Sequence, residues 1–353
     1  MTVGILIPTY NRLNYLRQAL RSVSGQHYND LSIIVIDNAS TDGTRDFMSG
    51  VTDTRVQYII NDHNLGMAGS INKGIGLFAD DVEWCTVLCD DDVLHEDYVG
   101  RMAGFLNDHP GILVASGSII FTDDDLHERR NAAEGPEVES ALSYLVARTD
   151  IKRETYLSAL MFHKKSFIEM GGYPFFASGL ATDDALIFHL AARGGGFGYN
   201  KSAACYIRIH GSAESVSLPG SFAAHFKSAI DFKDYCLSIA RRYRLSENTV
   251  LKTIDIKIKG ILYVLFTTHY ADRLKFLQDK TDNDELLKML QEASLYLPFR
   301  IKFDYFCYTA FGIAVERYRP YKIVWQVTGA IYRFFRRHLP LHRIRRTLPG
   351  QGD

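Results

Sequence analysis

The sequence predicts an α/β protein, with a mostly parallel sheet flanked by helices and followed by a mainly helical C-terminal region. Short apolar runs alternate with helical patterns along the first half of the chain, as in a sheet with crossover helices. Polar turn residues follow these runs. Strand patterns become rare near Ser215. We therefore predict two domains, at 1–215 and 216–353.

The first strand is predicted at 3–7, where the apolar run VGILI ends at Pro8. The following segment, NRLNYLRQALRSV, places four apolar residues on one helical face: Leu13, Leu16, Leu20 and Val23. A second buried strand, SIIVID, leads into the turn residues NASTDGT. These segments predict the first strand–helix–strand unit.

The next strands are predicted in VQYII and EWCTVLC, with a glycine-containing turn and a helix, NLGMAGSINKGIGLF, between them. In parallel sheets, ligands bind beyond the carboxyl ends of the strands. Asp37, Asn38 and the acidic run 90–92 all follow predicted strands. The sequence therefore predicts a binding site at this edge of the sheet.

The remainder of the predicted α/β domain begins with another strand, GILVASGSIIF, and the acidic stretch 122–140, which we predict to be a solvated loop. A strand, a helix and a Gly-Gly turn are predicted in SALMFHKKSFIEMGGYP. ATDDALIFHLAARGG is typical of a capped helix ended by glycines, and ACYIRIHGSAES of an alternating strand.

Composition narrows the range of functions. With 353 residues, 46% of them hydrophobic, the chain can form a sizeable core, and a net charge of -1 provides no field that favours nucleic acid. The five cysteines form no CxxC pair, which indicates free thiols in a reducing compartment. No basic leader or membrane-spanning apolar run is evident. We therefore expect a cytoplasmic protein, with a peripheral position on the inner face of the cell membrane left open.

Three consecutive aspartates, Asp90, Asp91 and Asp92, need an explanation because adjacent carboxylates repel one another. One alternative is a solvated turn whose acids cap a helix. The other is a cation site, since Mg²⁺ and Mn²⁺ prefer oxygen ligands and leave positions open for substrate phosphates. Taken alone, the triplet does not decide between them.

Other candidate residues have equally ordinary explanations. Tyr10, Asp37 and Asn38 could hold a nucleobase and ribose, or form common strand-to-helix turns. The acids of TDDAL could act in catalysis or favour the first turn of a helix. His210 could bind a ligand or make a structural hydrogen bond at a strand end.

Four segments together resemble successive blocks of the family-2 glycosyltransferases: VGILIPTYNRLNYLRQALRSVSGQ, IIVIDNASTDGT, NLGMAGSINKGI and LCDDDVL. Their order and spacing match over roughly the first two hundred residues. The resemblance implies a GT-A (Rossmann-like) fold and an inverting, metal-dependent transfer of sugar from a nucleotide diphosphate donor. It favours UDP-sugars, with dTDP-sugars second.

The resemblance also implies roles for individual residues. It assigns nucleotide-sugar binding to eight positions: Pro8, Thr9, Tyr10, Asp37, Asn38, Asn64, Asp90 and Asp91. It assigns Mn²⁺ or Mg²⁺ to Asp91, Asp92 and His210. It assigns proton abstraction to Asp184, with Asp183 as its neighbour or an acceptor contact. Two positions depart from the family pattern, since many members have aspartate where this chain has Cys89 and Asn38.

The implied acceptor is a hydroxyl of a glycan or a polyprenyl-linked glycan in surface polysaccharide synthesis. Two alternatives remain open. A degenerate GT-A-like domain could act as a sugar- or nucleotide-binding scaffold, although acids remain at both the metal and base positions. A nucleotidyltransferase would normally have a glycine-rich phosphate loop after the first strand, and PTYNR is not such a loop.

The C-terminal segment 321–346 joins aromatic residues to arginines, as in RFFRRHLPLHRIRR. An amphipathic helix of this composition can lie on an anionic membrane surface. It can equally pack on the catalytic domain or on a second subunit, which leaves a homo-oligomer open.

Overall fold

The computed structural model describes residues 1–150, 152–210 and 222–268, and it has the predicted α/β fold. A central sheet is flanked by helices. The strands of the described part are Thr2–Thr9 (β1), Leu31–Asp37 (β2), Val56–Ile60 (β3), Val82–Val87 (β4), Val93–Leu94 (β5), Val114–Thr122 (β6), Glu128–Asn131 (β7), Val138–Glu139 (β8), Leu160–His163 (β9) and Phe197–Arg208 (β10).

The helices of the described part lie between and after these strands. They are Leu13–Ser24 (α1), Thr44–Ser49 (α2), Gly66–Leu77 (α3), Tyr98–Asp108 (α4), Ala141–Thr149 (α5), Lys164–Glu169 (α6), Thr182–Arg193 (α7), Phe222–Arg242 (α8) and Glu247–Thr268 (α9). A short 3₁₀ turn, Leu157–Ala159, precedes β9.

The main path of the sheet has the order β3-β2-β1-β4-β9-β6-β10-β5. Strands β3, β2, β1 and β4 are parallel, as are β6 and β10, whereas β9 runs antiparallel to both β4 and β6. The sheet is therefore mixed, and its parallel character is concentrated in the first four strands. Their carboxyl ends carry the acids and amides singled out from the sequence.

The predicted solvated loop at 122–140 contains two short strands. β7 pairs antiparallel with β6, and β8 pairs antiparallel with β10. The residues of β7 are all exposed and include no apolar side chain. Because β7 has no apolar side chain to bury, its sequence lacks the alternation of apolar and polar residues that predicts a strand.

The core lies between the sheet and its helices. The buried face of α1 consists of Leu16, Ala19, Leu20 and Val23, which includes three of the four residues predicted to share that face. β1 is buried from Val3 to Thr9, as expected for a central parallel strand.

Helices α8 and α9 pack against each other, α8 also against α7 and α9 against α5. The predicted domain boundary at 215 lies outside the described residues and stays a prediction, as does the character of segment 321–346. The four cysteines of the described part are free thiols, in agreement with the sequence. Across 1–150, 152–210 and 222–268, no helix is long and apolar enough to cross a membrane.

Candidate active site

The aspartate triplet lies in the turn after β4, at the carboxyl ends of the parallel strands. The exposed fractions of Asp90, Asp91 and Asp92 are 5%, 9% and 5%. Such burial rules out the solvated turn, because water does not screen carboxylates that it barely reaches. The register of the sheet brings β1 alongside, since Leu6 pairs with Val87.

Asp90 and Asp91 share one positive partner from the segment after β1. Arg12 Nη1 lies 3.3 Å from Asp90 Oδ1 and 2.8 Å from Asp91 Oδ2. Thr9 Oγ1 also donates to Asp90 Oδ2 at 2.8 Å. The protein itself therefore supplies part of the positive charge that the crowded carboxylates need. Arg12 was not among the residues predicted for this site, although it lies in the segment PTYNR.

His210 is brought to the triplet as expected for a residue of the same site. Its Nε2 lies 3.1 Å from Asp91 Oδ2, and its ring packs 4.9 Å from the ring of Tyr15. The position of His210 two residues after β10 explains the contact, since the end of β10 adjoins the triplet. Its assignment as a metal ligand stays a prediction.

Asp92 is held by neutral donors. Ser158 Oγ donates to Asp92 Oδ2 at 2.5 Å, and the backbone N–H of Arg208 donates to Asp92 Oδ1 at 3.0 Å. Ser158 belongs to the 3₁₀ turn before β9, so that turn helps to close the site. Nothing in the sequence around Ser158 signalled this contact.

Burial dominates the titration of two members of the triplet. It raises the pKa of Asp90 to about 6, against the lowering effects of Thr9 and Arg12. Burial, assisted by the charge of Asp91, raises the pKa of Asp92 to about 8. The raised pKa values show that the ionised carboxylates are disfavoured in this environment. An additional positive charge would therefore be stabilised here.

The donor set suits a divalent cation. The ligand atoms of Cys89, Asp91 and Asp92 all lie within 4.8 Å of one another. The two carboxylates offer the hard oxygens that Mn²⁺ and Mg²⁺ prefer, while Cys89 adds a thiol. Burial and the neighbouring carboxylates raise the pKa of that thiol.

Arg208 has buried hydrogen-bond donors that no atom of the described residues accepts. Its Nε and Nη1 are without partners, while Nη2 donates to Gln18 Oε1 at 2.9 Å. The guanidinium lies over the ring of Tyr15, and the residue is 3% exposed. Unsatisfied buried donors are costly, so an anionic oxygen placed here would be stabilised.

The predicted base and ribose residues lie at the ends of β1 and β2. Asp37 accepts from the backbone N–H of Ser40 at 2.8 Å and from the hydroxyl of Tyr58 at 2.5 Å. Burial and this hydrogen bond raise the pKa of Tyr58. Asp37 pairs with Thr9 in the sheet, which joins this end to the acid triplet.

The amide oxygen of Asn38 serves the protein's own structure. It accepts from Asn61 Nδ2 at 2.8 Å, Ser70 Oγ at 2.7 Å and the backbone N–H of Leu65 at 3.2 Å. An oxygen with three donors has no lone pair left for a nucleobase. Asn38 can therefore act on a nucleotide only through its Nδ2 or by shaping the 61–70 segment.

The remaining predicted nucleotide residues differ in exposure. Pro8 and Thr9 are buried, whereas Tyr10 is 46% exposed and could present its ring to a ligand. Asn64 is exposed, and its Oδ1 accepts from the backbone N–H of Gly66 at 2.8 Å. Their roles in nucleotide binding stay predictions.

Asp184, predicted as the base, is enclosed in ion pairs. Arg148 Nε and the hydroxyl of Tyr144 donate to its Oδ1 at 2.7 and 3.1 Å, and Lys257 Nζ donates to its Oδ2. Burial raises the pKa of Asp184, but Lys257 and Arg148 outweigh it and hold the pKa below its ordinary range. A carboxylate that is saturated with donors is a poor base, so this geometry argues against the assignment.

Asp183 differs from Asp184 in exposure and in the direction of its pKa shift. It is partly exposed, and the hydroxyl of Tyr173 donates to its Oδ1 at 2.5 Å. Burial raises the pKa of Asp183, and the charge of Asp184 adds to the rise. No hydrogen bond of Oδ2 to the described residues is observed, which leaves that oxygen for a substrate hydroxyl.

Tyr173 is positioned by Asn72 of α3. Asn72 Oδ1 accepts the backbone N–H of Tyr173 at 2.7 Å, and Asn72 Nδ2 donates to the carbonyl of Tyr173 at 3.1 Å. One side-chain amide thus satisfies both backbone groups of the residue that supports Asp183. No local pattern predicts this contact, which spans 101 positions of the chain.

Comparison with known proteins relates residues 4–175 to the family described as Glycosyl transferase family 2. The GalNAc(5)-diNAcBac-PP-undecaprenol beta-1,3-glucosyltransferase of Campylobacter jejuni is 28% identical over 143 residues, 40% of this chain and 45% of that protein. The abequosyltransferase RfbV of Salmonella typhimurium is 30% identical over 163 residues, 45% of this chain and 47% of that protein. The chain thus spans less than half the length of these curated relatives.

Among solved structures, the fold resembles that of S. aureus TarS in complex with UDP. The TM-score is 0.60 with 14% identical residues, over 85% of this chain and 82% of that one. The complex of TarS with UDP-GlcNAc matches with a TM-score of 0.58 and 15% identity, over 85% and 83% of the two chains. At this level of identity the likeness establishes the fold.

Proposed function

Residues 4–175 belong to glycosyl transferase family 2, and on this premise we propose that the chain transfers a sugar from a nucleotide diphosphate donor to an acceptor hydroxyl. The observation that carries the proposal is the presence of two acidic sites with different surroundings. A buried triplet at the carboxyl ends of the sheet suits a cation and diphosphate, and Asp183 offers a carboxylate oxygen to a hydroxyl.

The donor's diphosphate is proposed to lie at the triplet. Asp91 and Asp92 would hold Mn²⁺ or Mg²⁺, with His210 as a third contact, and the ion would neutralise charge on the leaving phosphate. Arg208 would offer an anionic oxygen two buried donors for which the described residues provide no acceptor. The exposed ring of Tyr10 would stack on the nucleobase, with Asp37 at the ribose.

Asp183, and not Asp184, is proposed as the general base. Its free oxygen takes the proton of the acceptor hydroxyl, and the acceptor oxygen forms a bond to the anomeric carbon as the bond to the nucleotide diphosphate breaks. Tyr173 keeps Asp183 Oδ1 occupied and so orients the other oxygen. A raised pKa suits a base, because a stronger base abstracts the proton more readily. A single displacement inverts the configuration.

The acceptor is proposed to be a glycan or a lipid-linked glycan in surface polysaccharide synthesis. The names of the two relatives support this class. The Campylobacter name includes a glycan linked to PP-undecaprenol, and the Salmonella protein is named as an abequosyltransferase. UDP-sugars are the first donors to test and dTDP-sugars the second. A cytoplasmic location at the inner face of the membrane accompanies this proposal.

The test is a panel of UDP- and dTDP-sugars with Mn²⁺, in which nucleotide release and sugar transfer are scored. Asp183→Asn should lower kcat by about 10²–10⁴-fold, the usual contribution of a general base. Asp91→Asn should abolish the Mn²⁺ dependence. Glu169→Gln, whose partner Arg193 lies at the far end of α7, serves as the control and should behave as wild type.

Specific outcomes would contradict the proposal. Full activity in Asp183→Asn would remove the base assignment. Nucleotide-sugar binding without turnover in the wild type would favour the scaffold alternative, and release of pyrophosphate from a nucleoside triphosphate would favour the nucleotidyltransferase.

A further inference from the structure

Asp184 connects three helices. It lies in the first turn of α7 and is 3% exposed, and its partners Arg148 and Lys257 come from α5 and α9. Two cations face one carboxylate, and the second carboxylate of the first turn, Asp183, balances the remaining charge. The Lys257 side chain is only 13% exposed, so without Asp184 its charge would be poorly compensated, and this contact therefore links α9 to α7.

The first turn of α7 needs such support because it has no side-chain cap. Ala181 precedes the helix in a left-handed conformation, with φ of 61°, and its methyl group cannot accept from the helix N–H groups. Thr182 donates its hydroxyl to the carbonyl of Gly179 and so steadies only the entry to the turn. The ion pairs of Asp184 therefore add a polar constraint on the position of this turn, beside the apolar packing of α7.

Helix α8 supports the chain that leads into this turn. Ser228 Oγ accepts the backbone N–H of Ser178 at 2.9 Å. Phe176 packs edge-on against Phe232 and Tyr235, with ring centroids 6.3 and 6.1 Å away. Helices α8 and α9 together thus hold both the approach to α7 and its first turn.

We propose that Lys257 is a positioning residue for sugar transfer: through Asp184 it places the first turn of α7, and with it Asp183, where the acceptor hydroxyl is deprotonated. Helix α9, which lies outside the residues that match the family, then forms part of the catalytic machinery. The inference rests on the proposed role of Asp183. Lys257 itself touches neither donor nor acceptor in this scheme.

The proposal has a consequence for pH dependence. The charged and titratable groups around Asp183 are Tyr173 before α7, Asp184 beside it, Arg148 on α5 and Lys257 on α9. Burial and the charge of Asp184 raise the pKa of Asp183. The hydrogen bond from Tyr173 and the charges of Arg148 and Lys257 lower it. Loss of the Lys257 charge would raise that pKa further. Because the base acts when ionised, activity would then be lost at a higher pH than in the wild type as the pH is lowered.

The experiment compares Lys257→Met with Lys257→Arg and with a matched control, Lys233→Met. Lys233 also pairs with a carboxylate between α8 and α9, Asp255 at 2.9 Å, and its exposed fraction of 16% is close to the 13% of Lys257. For each full-length variant, kcat, donor KM and Tm are measured, with kcat followed across pH.

Lys257→Met should lower kcat by about tenfold or more, the scale of a small misplacement of reacting groups. The acidic limb of its kcat profile should move up by about half a pH unit or more, as expected when an opposite charge is removed. Donor KM should stay unchanged. Lys257→Arg, which keeps the charge, should restore most of kcat, and Lys233→Met should match the wild type.

An unshifted acidic limb in a folded Lys257→Met protein would overturn the inference, as would an equal loss of kcat in Lys233→Met. If Lys257→Met does not fold, Lys257→Gln is measured with the same two outcomes. Failure of the proposed function looks different, because wild-type transfer would be absent or Asp183→Asn would be as active as the wild type.

Discussion

At the scale of single residues, the surroundings of a carboxylate decide its chemistry. Asp183 and Asp184 are neighbours in one helical turn, yet their pKa values are displaced in opposite directions. Two cations within reach of Asp184 make it a weak base and a structural anchor. A single neutral donor, Tyr173, leaves Asp183 able to take a proton. The proposed assignment of the base therefore rests on the partners of each carboxylate, not on residue type.

Replacing Asp92 by asparagine should make the stability of the metal-free protein less dependent on pH. Burial and Asp91 raise the pKa of Asp92 to about 8, so the folded protein keeps a proton that the unfolded chain loses near its ordinary pKa of 3.8. Stability then falls as pH rises from about 4 to about 8. Across this interval the wild type should lose about 1–3 kcal/mol more unfolding free energy than Asp92→Asn.

This effect is measured by urea denaturation in EDTA at several pH values. Asp62→Asn, at an exposed position, serves as the control and should follow the wild type. Excess Mn²⁺ should raise the Tm of the wild type more than that of Asp92→Asn. Parallel pH profiles for wild type and Asp92→Asn would contradict the prediction.

The sequence predicted the residues whose motifs are local but not their partners. The acid triplet and His210 were singled out, and the structure brings His210 to Asp91. Arg12 and Lys257 were missed because their carboxylates lie more than seventy positions away along the chain. Only the fold brings such pairs together, and a single sequence has no pattern that encodes them.

At the scale of elements, the segment before α7 depends on the amide of Asn72. Gly172 and Gly171 both have positive φ, of 83° and 99°. A Cβ at Gly172 would lie 2.3 Å from Asn72 Oδ1, whereas a Cβ at Gly171 would meet no atom within 4 Å. Gly172 therefore permits both the turn and the close approach of α3, whereas Gly171 permits only the turn.

Gly172→Ala should consequently cost more than Gly171→Ala. The latter should lose about 1 kcal/mol of unfolding free energy, the usual effect of alanine at positive φ. The former should lose roughly 2–3 kcal/mol, because the clash is added to the same strain. It should also lower kcat, since Tyr173 would no longer hold Asp183. Urea denaturation and transfer assays test this, and equal losses in both variants would contradict it.

Elements with a clear apolar period were predictable. The strands β1 to β4 and the helices α1 and α3 correspond to patterns identified in the sequence. The direction of β9 was not predictable, because it depends on how the chain returns between β4 and β6. The exposed strand β7 was missed because its pairing uses only the backbone.

At the scale of the whole molecule, the basic segment 321–346 stands outside the described residues, and its contact with membrane stays a prediction. The full chain should float with anionic liposomes and not with neutral ones. A triple variant, Arg333→Gln, Arg336→Gln and Arg337→Gln, should bind anionic liposomes roughly a hundredfold more weakly, at about 1 kcal/mol per arginine. Equal flotation of variant and wild type would remove the membrane contact.

The embedding of α7 among α5, α8 and α9 has a practical consequence for dissecting the protein. The region that matches the family ends at residue 175, eight positions before Asp183. A fragment trimmed to that limit would keep the aspartate triplet but lack Arg208 and His210 of the proposed donor site, as well as the proposed base. Grafting only those residues onto a relative's scaffold would therefore transfer an incomplete donor site and no base. Exchange of acceptor preference would require a crossover point beyond residue 257.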